Sequence, residues 1–269
     1  MSTTVTYPET GVRLHWHPAL LADIPILSAD ECLTTLRTLE NLRPYWEQRH
    51  PVVPFYTLGA TNYYDIFNAP GTPYYDKARR LNSLLQEHFG WLYQRISDRL
   101  GAAFDVPTGH ANRLALPGFN IILAHPKLDT MRTLTVIEWS QKREEAEYFS
   151  LPVHVDTPQY VVDWSEFQHV DLVHPLSFTL TLSVPQKGCG LQIWELFDED
   201  TLGLDETAIA AKLASSKTWI RPYSVGVMTV HTGRYYHTAA PVRSSRQDDT
   251  RITLQGHVAL ADGKAILYW

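Results

Sequence analysis

The sequence predicts a mostly β protein with helices near its N-terminus. In the first hundred residues, leucines recur at helical spacing in two segments. After residue 112, six short runs are rich in β-branched or aromatic residues and are bounded by Gly, Pro or Asp. Apolar residues make up 44% of the chain and charged residues 19%, which is typical of a well-packed core. Together these features indicate an antiparallel barrel or sandwich with helices packed against one sheet.

The first helix is expected to begin at Ser28 and to continue through Trp46. Ser28 and Glu31 have the spacing of a capping box, which satisfies free backbone N–H groups at a helix start. Leucines then recur every third residue and predict one buried face. These are Leu33, Leu36, Leu39 and Leu42.

The second helix is predicted from Asp76 to Leu100, with Gly101 just past its end, where helices often stop. Its apolar residues at helical spacing are Leu81, Leu84, Leu85, Phe89, Leu92 and Ile96. Between the two helices, residues 51–65 (PVVPFYTLGATNYYD) are turn-rich and aromatic, and we expect them to contribute to a lid over a site.

The six predicted strand regions follow one another from residue 112 to the last residue. A third, shorter helix is predicted between them, from Leu204 to Ser215. The six regions are NRLALPGFNIILAHP, TLTVIEWS, LSFTLTLSV, SVGVMTVHT, TRITLQGHVAL and KAILYW.

Charge and cysteine content argue against several classes of protein. The net charge is -6, without the clustered Lys and Arg of a nucleic-acid surface. Residues 141–147 (QKREEAE) carry mixed charges, typical of a solvated face. Two cysteines cannot form a disulfide framework or a cysteine-built zinc site. The chain shows neither a signal-peptide pattern nor an apolar run of roughly 18 to 20 residues, so we expect a cytoplasmic protein with no membrane partner.

Two His-Val-Asp triplets lie close together in the middle of the chain, at residues 154–156 and 169–171. In an extended segment, residues i and i+2 point to the same side. Either triplet can therefore aim an imidazole and a carboxylate at one divalent metal ion, with a third ligand supplied from elsewhere. Because the chain contains 12 histidines, one such triplet is weak evidence by itself.

The last third of the chain contains candidates for the third ligand and for an anion site. His237 follows an apolar strand, and His231 and His257 are its alternatives. Arg251 and Thr253 open an alternating run and share one of its faces. A buried guanidinium needs an anionic partner, and a guanidinium beside a hydroxyl is a good receptor for a carboxylate.

The order of these candidate residues along the chain resembles that of the iron(II)- and 2-oxoglutarate-dependent dioxygenases with a double-stranded β-helix (jelly-roll) core, particularly the prolyl-4-hydroxylase-like branch. The resemblance covers residues 112–269. The chain departs from the pattern in the long interval of about 80 residues between Asp156 and His237, and in a Gly-Cys-Gly where the family has Gly-Gly. The matching pieces are His154-Val155-Asp156, SFTLTLSV, Gly188-Cys189-Gly190-Leu191 before Trp194, Pro222 and Gly226 before His237, and Arg251-Ile252-Thr253.

The resemblance implies that His154, Asp156 and His237 bind Fe(II), and that Arg251 with Thr253 holds the distal carboxylate of the co-substrate 2-oxoglutarate. It implies consumption of dioxygen, release of succinate and carbon dioxide, and hydroxylation of an unactivated C–H bond. Halogenating members lack the carboxylate ligand, so Asp156 favours hydroxylation or a related desaturation or cyclisation. No catalytic residue is expected beyond the metal ligands.

The sequence leaves alternatives open for the metal pair and for the function. The pair His169 and Asp171 is less favoured because it lies too close to the strand at Ser177, but it stays open as the metal pair. A cupin-like hydrolase or isomerase would keep the three ligands, and a non-catalytic jelly-roll binding module would need none of them. For the dioxygenase we expect a small-molecule substrate, an amino acid or a natural-product intermediate. The oligomeric state is left open.

We expect a single dioxygenase domain over residues 1–269. Residues 1–111 would form a helical buttress and lid, and residues 112–269 the jelly-roll core. Asn120, Thr179 and Thr181 are candidates for further co-substrate contacts, and residues 233–236 for the rim of the site. Core or pocket positions are expected for Trp139, Trp164, Trp194 and Tyr160.

Overall fold

Two antiparallel sheets form the centre of the protein and confirm the predicted jelly-roll core. The computed structural model describes residues 5–6, 13–66, 73–130, 152–243 and 246–269. Ten strands form the large sheet and three form the small sheet, and two further short strands pair with each other separately.

The strands are β1 (Val5–Thr6), β2 (Leu21–Pro25), β3 (Glu47–Gln48), β4 (Phe55–Leu58), β5 (Thr108–His110), β6 (Gly118–Ile122), β7 (Val170–Ser183), β8 (Lys187–Gly188), β9 (Gly190–Phe197), β10 (Thr218–Pro222), β11 (Val227–His231), β12 (Tyr235–Ala239), β13 (Val242–Arg243), β14 (Arg251–Ala261) and β15 (Lys264–Tyr268). The helices are α1 (Ala29–Asn41), α2 (Pro73–Phe104) and α3 (Glu206–Ser215). The order in the large sheet is β1-β2-β11-β7-β14-β6-β4-β3, with β15 paired to β14 and β5 paired to β15. The order in the small sheet is β10-β9-β12, and β8 pairs with β13.

Five of the six predicted strand regions contain strands of the large sheet, namely β6, β7, β11, β14 and β15. The sixth, TLTVIEWS, lies outside the described residues, as does the charged run 141–147. The predicted third helix is α3, which Asp205 caps by accepting a hydrogen bond from the Ala208 N–H. The part of the chain before residue 112, expected to be helical, also supplies β1 to β5 to the large sheet.

Helix α1 has the predicted start but a different end and a different buried face. Ser28 and Glu31 form the capping box. The helix ends at Asn41, because Pro44 lacks a backbone N–H, and a separate 3-10 turn follows at Arg43–Tyr45. Leu33 is 52% exposed, whereas Leu39 is buried. A three-residue step turns about 300° on a helix, so leucines at that spacing drift around the surface instead of forming one face.

Helix α2 extends past the predicted stop at Gly101, which lies inside the helix. The chain reverses instead at Asp105, whose φ is 55°. The N–H of Val106 donates to the carbonyl of Gly101 at 3.1 Å. This is the Schellman pattern, in which a left-handed residue just past the helix satisfies its last carbonyls. Aspartate tolerates the left-handed conformation better than most side chains, so no glycine marks the true end.

Helix α2 packs against one face of the large sheet and leaves the other face for the site. Leu85 and Phe89 of α2 share a buried cluster with Phe119 of β6 and Leu254 of β14. The rings of Phe89 and Phe119 are 4.7 Å apart between centroids. Because side chains alternate along a strand, the residues next to Leu254 point away from the helix. This alternation places Arg251, Thr253, Gln255 and His257 on the inner face.

Within the described ranges, no helix combines the length and the apolar character needed to cross a bilayer.

Candidate metal centre

The first His-Val-Asp triplet lies beside β12 in an extended segment. His154 and His237 form an antiparallel β-bridge, with N–H to carbonyl distances of 2.9 and 2.8 Å. The N–H of Asp156 donates to the carbonyl of Gly233 at 2.9 Å. The segment around His237, which lies outside the six predicted strand regions, is strand β12 and pairs with β9. These backbone bonds bring residues about 80 positions apart into register.

The three predicted ligands converge on one point. The Nε2 atom of His154 lies 3.5 Å from Oδ1 of Asp156, and the Nε2 atom of His237 lies 3.4 Å from Oδ2. One ligand atom from each of the three residues falls within 4.8 Å of the others. In the part of the chain that the structure describes, this is the one group of three or more His, Cys, Asp or Glu side chains able to hold a metal ion.

Both imidazoles are oriented for ligation through Nε2. The Nδ1 atom of His154 lies 2.8 Å from the carbonyl oxygen of Pro152, and that of His237 lies 2.8 Å from the carbonyl oxygen of Tyr235. A carbonyl oxygen can only accept, so each Nδ1 carries the proton and each Nε2 keeps a free lone pair. Such a hydrogen bond on the far nitrogen is the usual support of a metal-ligating histidine.

The electrostatics keep Asp156 ionised. Only 6% of the residue is exposed. Burial by itself opposes ionisation, but the polar contacts with the His237 and His154 rings hold the pKa of Asp156 well below its usual range. For His154, burial lowers the pKa and the Asp156 carboxylate raises it, with a net rise. The centre therefore presents a carboxylate and two imidazoles, the donor set typical of non-haem Fe(II) sites.

The three side chains line a cavity of about 540 Å³ that also contains Arg251. Arg251 is 1% exposed, and its guanidinium lies 5.8 Å from the centre of the Tyr223 ring. Its Nε and Nη2 atoms are buried without a hydrogen-bond partner, as is the Oγ1 atom of Thr253 on the same strand face. Among the described residues, no carboxylate forms an ion pair with this guanidinium. A buried, uncompensated cation is costly, so the pair fits an anionic ligand.

Further polar side chains extend along the inner face of the large sheet. In the register of the sheet, Thr253 pairs with Asn120 and Thr181, and Gln255 pairs with Thr179. Asn120 and Thr179 line the cavity, and Asn120 donates a hydrogen bond to Gln255. Thr181 has a buried hydroxyl without a partner. The three candidates for additional co-substrate contacts therefore all lie on the inner face.

The alternative ligands take other positions. His169 is exposed, and Asp171 binds the nearby His174. His231 and His257 line the cavity but do not belong to the ligand group. Burial lowers the pKa of His231 to about 3 and that of His257 to about 4, so both rings are neutral at pH 7.

The large aromatic candidates lie elsewhere. Trp194 is buried in a cluster with Val153 and Tyr236, and Trp164 packs against Tyr268. Tyr160 is 62% exposed. Trp139 lies outside the described residues. None of the three described aromatics lines the cavity.

The structure gives three residues of the site contacts that the sequence interpretation did not assign to them. Tyr63 and Ser177 donate hydrogen bonds to Asp156. Gly233, predicted only as part of the rim, has a φ of 71°, and a Cβ there would lie 2.6 Å from the Cβ of Asp156. The positive φ favours glycine, and the close approach requires it. In the sequence, the glycine in HTGR (residues 231–234) was the one signal that could have indicated this close approach to Asp156.

No protein-family model and no curated sequence matches this chain. Among solved structures, the chain is similar to an N-substituted L-amino acid dioxygenase in complex with alpha-ketoglutarate from Burkholderia ambifaria AMMD. The TM-score is 0.52 at 14% identity, over 92% of this chain and 85% of the other. This similarity confirms the fold that the sequence resemblance implied.

Two further structures give lower scores, below 0.5, and carry no weight here. The alpha-ketoglutarate-dependent carbocyclase SnoK from nogalamycin biosynthesis gives a TM-score of 0.47 at 14% identity, over 92% of this chain and 81% of the other. A Pseudomonas putida prolyl-4-hydroxylase gives 0.38 at 11% identity, over 90% and 93%.

Proposed function

We propose that this protein is an Fe(II)- and 2-oxoglutarate-dependent dioxygenase that hydroxylates an unactivated C–H bond of a small molecule. One observation carries the proposal. A His-Asp-His cluster, in which Asp156 and His237 are buried, lines the same cavity as a buried guanidinium without a carboxylate partner among the described residues. The cluster alone fits many divalent metals. The unpaired Arg251 adds a need for an anion, which 2-oxoglutarate meets.

In this proposal, His154 and His237 hold the metal through Nε2 and Asp156 through a carboxylate oxygen. Arg251 binds the distal carboxylate of 2-oxoglutarate, and the Thr253 hydroxyl donates to the same group. When bound, Fe(II) and 2-oxoglutarate supply an oxidative decarboxylation: one oxygen atom of O2 enters succinate, the other enters the hydroxylated product, and carbon dioxide leaves. The chain itself fixes the positions of the proposed ligands through the backbone contacts of His154, Asp156 and His237.

The cavity favours a small substrate. A volume of about 540 Å³ lies within the range of small-molecule sites and must hold the co-substrate as well. Outside the ligand cluster and Arg251, the described lining is uncharged and includes Phe55, Trp269 and Gln255. An amino acid or a natural-product intermediate is the class that we propose, and the whole chain is proposed to act as one domain.

The test uses purified protein under anaerobic conditions with Fe(II) and 2-oxoglutarate. We expect a weak visible charge-transfer band, and slow succinate release once oxygen is admitted. His154→Ala should abolish the band, whereas Arg251→Met should keep metal binding and weaken 2-oxoglutarate binding. Metal binding with no response to 2-oxoglutarate would instead support a hydrolase or isomerase. No metal binding at all would support a binding module and overturn the proposal.

A further inference from the structure

Both carboxylate oxygens of Asp156 accept a hydrogen bond from a hydroxyl group. The Tyr63 hydroxyl donates to Oδ1 at 2.5 Å, and the Ser177 hydroxyl donates to Oδ2 at 2.6 Å. The two donors come from segments 93 and 21 residues away in sequence. A carboxylate offers about four lone-pair positions, so two hydroxyls leave room for a metal while fixing the plane of the group.

The Ser177 hydroxyl is itself oriented by His257. Its Oγ lies 2.9 Å from Nδ1 of His257, and the two residues are direct partners across β7 and β14. A hydroxyl has one proton, which goes to the Asp156 carboxylate. The Nδ1 atom of His257 must therefore carry the proton in the second bond and donate it to Oγ. His257 is 5% exposed, so water does not compete for this contact.

Tyr63 lies on a short helical turn, Asn62–Ile66, that also carries Asp65 of a buried ion cluster. Within this turn, Asp65 accepts two hydrogen bonds from Arg49, at 3.1 and 3.0 Å, and one from Lys77 at 2.5 Å. The N–H of Thr61 also donates to Asp65 at 2.8 Å. The Asp65 side chain is 3% exposed.

This ion cluster connects the Tyr63 turn to its surroundings. Arg49 also donates to Thr57 of β4 at 2.7 Å, and Lys77 belongs to α2. The turn is therefore fixed to a strand and a helix at once. The proposed metal chemistry uses none of these charged side chains. Their effect on the site is to fix the turn that carries Tyr63.

We propose that Tyr63, Ser177 and His257 are positioning residues that hold Asp156 in its ligating orientation, and that Asp65 acts on the site by fixing Tyr63. The inference rests on the proposed function, in which Asp156 is a metal ligand. Without the two hydroxyls, the carboxylate can rotate towards one imidazole or the other. The metal site would then have to be reorganised at each binding event.

Metal binding tests the inference without turnover. Anaerobic calorimetric titration with Mn(II), in the absence of 2-oxoglutarate, should show affinity reduced about 10- to 100-fold in Tyr63→Phe and in Ser177→Ala, the usual cost of losing a supporting hydrogen bond. Ser177→Thr keeps a hydroxyl and should recover most of the affinity. In His257→Phe a reduction in the same direction is expected.

Two controls match the variants closely. Tyr64→Phe removes the neighbouring phenol, which donates no hydrogen bond to Asp156. Ser183→Ala removes a hydroxyl at the last residue of β7 that contacts Thr250. Both should bind Mn(II) within about twofold of the wild type. Thermal melting of each variant shows whether the fold is retained, and the Fe(II)–2-oxoglutarate band gives a second, spectroscopic signature of the ligand field.

A double-mutant cycle tests the role of Asp65. Asp65→Asn should lower Mn(II) affinity in the wild-type background and have no further effect in the Tyr63→Phe background, because Asp65 acts through Tyr63. Additive losses of Mn(II) affinity in the double variant would show that Asp65 does not act through Tyr63. If the wild type binds Mn(II) and both Tyr63→Phe and Ser177→Ala bind it equally well, the positioning role is wrong and the proposed function stands. If the wild type binds no divalent metal, the proposed function itself fails.

Discussion

The two His-Val-Asp triplets are identical in sequence and opposite in surroundings. Asp156 is buried and receives hydrogen bonds from Tyr63 and Ser177. Asp171, in contrast, is bonded by the N–H groups of Val173 and His174, at 2.9 and 3.1 Å, and by the His174 ring at 2.6 Å. Among the described residues, the hydrogen-bond partners of the Asp171 carboxylate therefore all lie within three residues of it.

The second histidine contacts a distant turn through its backbone N–H. The N–H of His169 donates to the carboxylate of Asp262 at 2.8 Å, at the turn between β14 and β15. At the first triplet, His154 bridges to His237 in the small sheet. The two triplets therefore differ in what their side chains contact: the Asp156 carboxylate is buried against distant segments, whereas the Asp171 carboxylate bonds local groups and His169 is exposed. The same tripeptide becomes a site where distant segments converge on it.

The largest expected difference between the triplets is in metal binding. His154→Ala removes one of three ligands and should reduce Mn(II) affinity more than about 100-fold, beyond the cost of losing a supporting contact. His169→Ala removes an exposed imidazole and should bind as the wild type does. Anaerobic titration of both variants measures the difference. Equal losses would show that the second triplet takes part in the site.

A glycine beside each triplet gives the next comparison. Gly233→Ala places a Cβ 2.6 Å from that of Asp156, so the ligand must shift, and Mn(II) affinity should fall at least about 10-fold. Gly263, next to Asp262, also has a positive φ, of 76°, but no atom lies within 4 Å of a Cβ there. Gly263→Ala should therefore cost about 1 kcal/mol of stability through backbone strain and leave metal binding unchanged.

Chemical denaturation and metal titration of the two glycine variants separate these effects. A Gly233→Ala protein with wild-type affinity would show that Asp156 tolerates displacement.

The smallest effect concerns acid stability at the second triplet. Although burial opposes it, the hydrogen bond from His174 and two backbone N–H groups lower the pKa of Asp171. A lowered pKa means that the carboxylate stabilises the fold above the ordinary aspartate value of about 3.9 and that this contribution is lost as the pH falls through the lowered value. Asp171→Asn should cost less than about 1 kcal/mol at neutral pH, because the pair is solvent-screened.

Urea denaturation near pH 7 and near pH 3 measures this prediction. The difference in stability between the wild type and Asp171→Asn should be smaller at the lower pH than at the higher. A change in Mn(II) affinity of this variant would instead contradict the surface role of Asp171.

The parts of the fold that the sequence predicted are those that local patterns determine. The alternating run from Arg251 is β14, and the Ser28 capping box starts α1. Strand β12 was missed because Tyr235–Ala239 is buried on both faces and does not alternate. The end of α2 was missed because aspartate, and not glycine, takes the left-handed position there.

The sequence predicted the residues proposed to bind metal and co-substrate, but not the side chains that contact them. The five residues proposed for metal and co-substrate were found because their order along the chain resembles a known family. The contacts of Asp156 with Tyr63 and Ser177 follow no spacing rule, since such bonds depend on how the N-terminal segment folds over the core. Only the tertiary structure relates an aromatic residue in a turn to a carboxylate 93 positions later.

The two halves of the proposed co-substrate site belong to different sheets. Arg251 and Thr253 lie on β14 of the large sheet, and His237 lies on β12 of the small sheet. A molecule that reaches from the metal ligands to the guanidinium is thus a removable cross-link between the layers. Pulling the layers apart requires its release, so the free energy of unfolding rises with its concentration. The supply of 2-oxoglutarate would then govern how long the folded chain survives, as well as how fast it works.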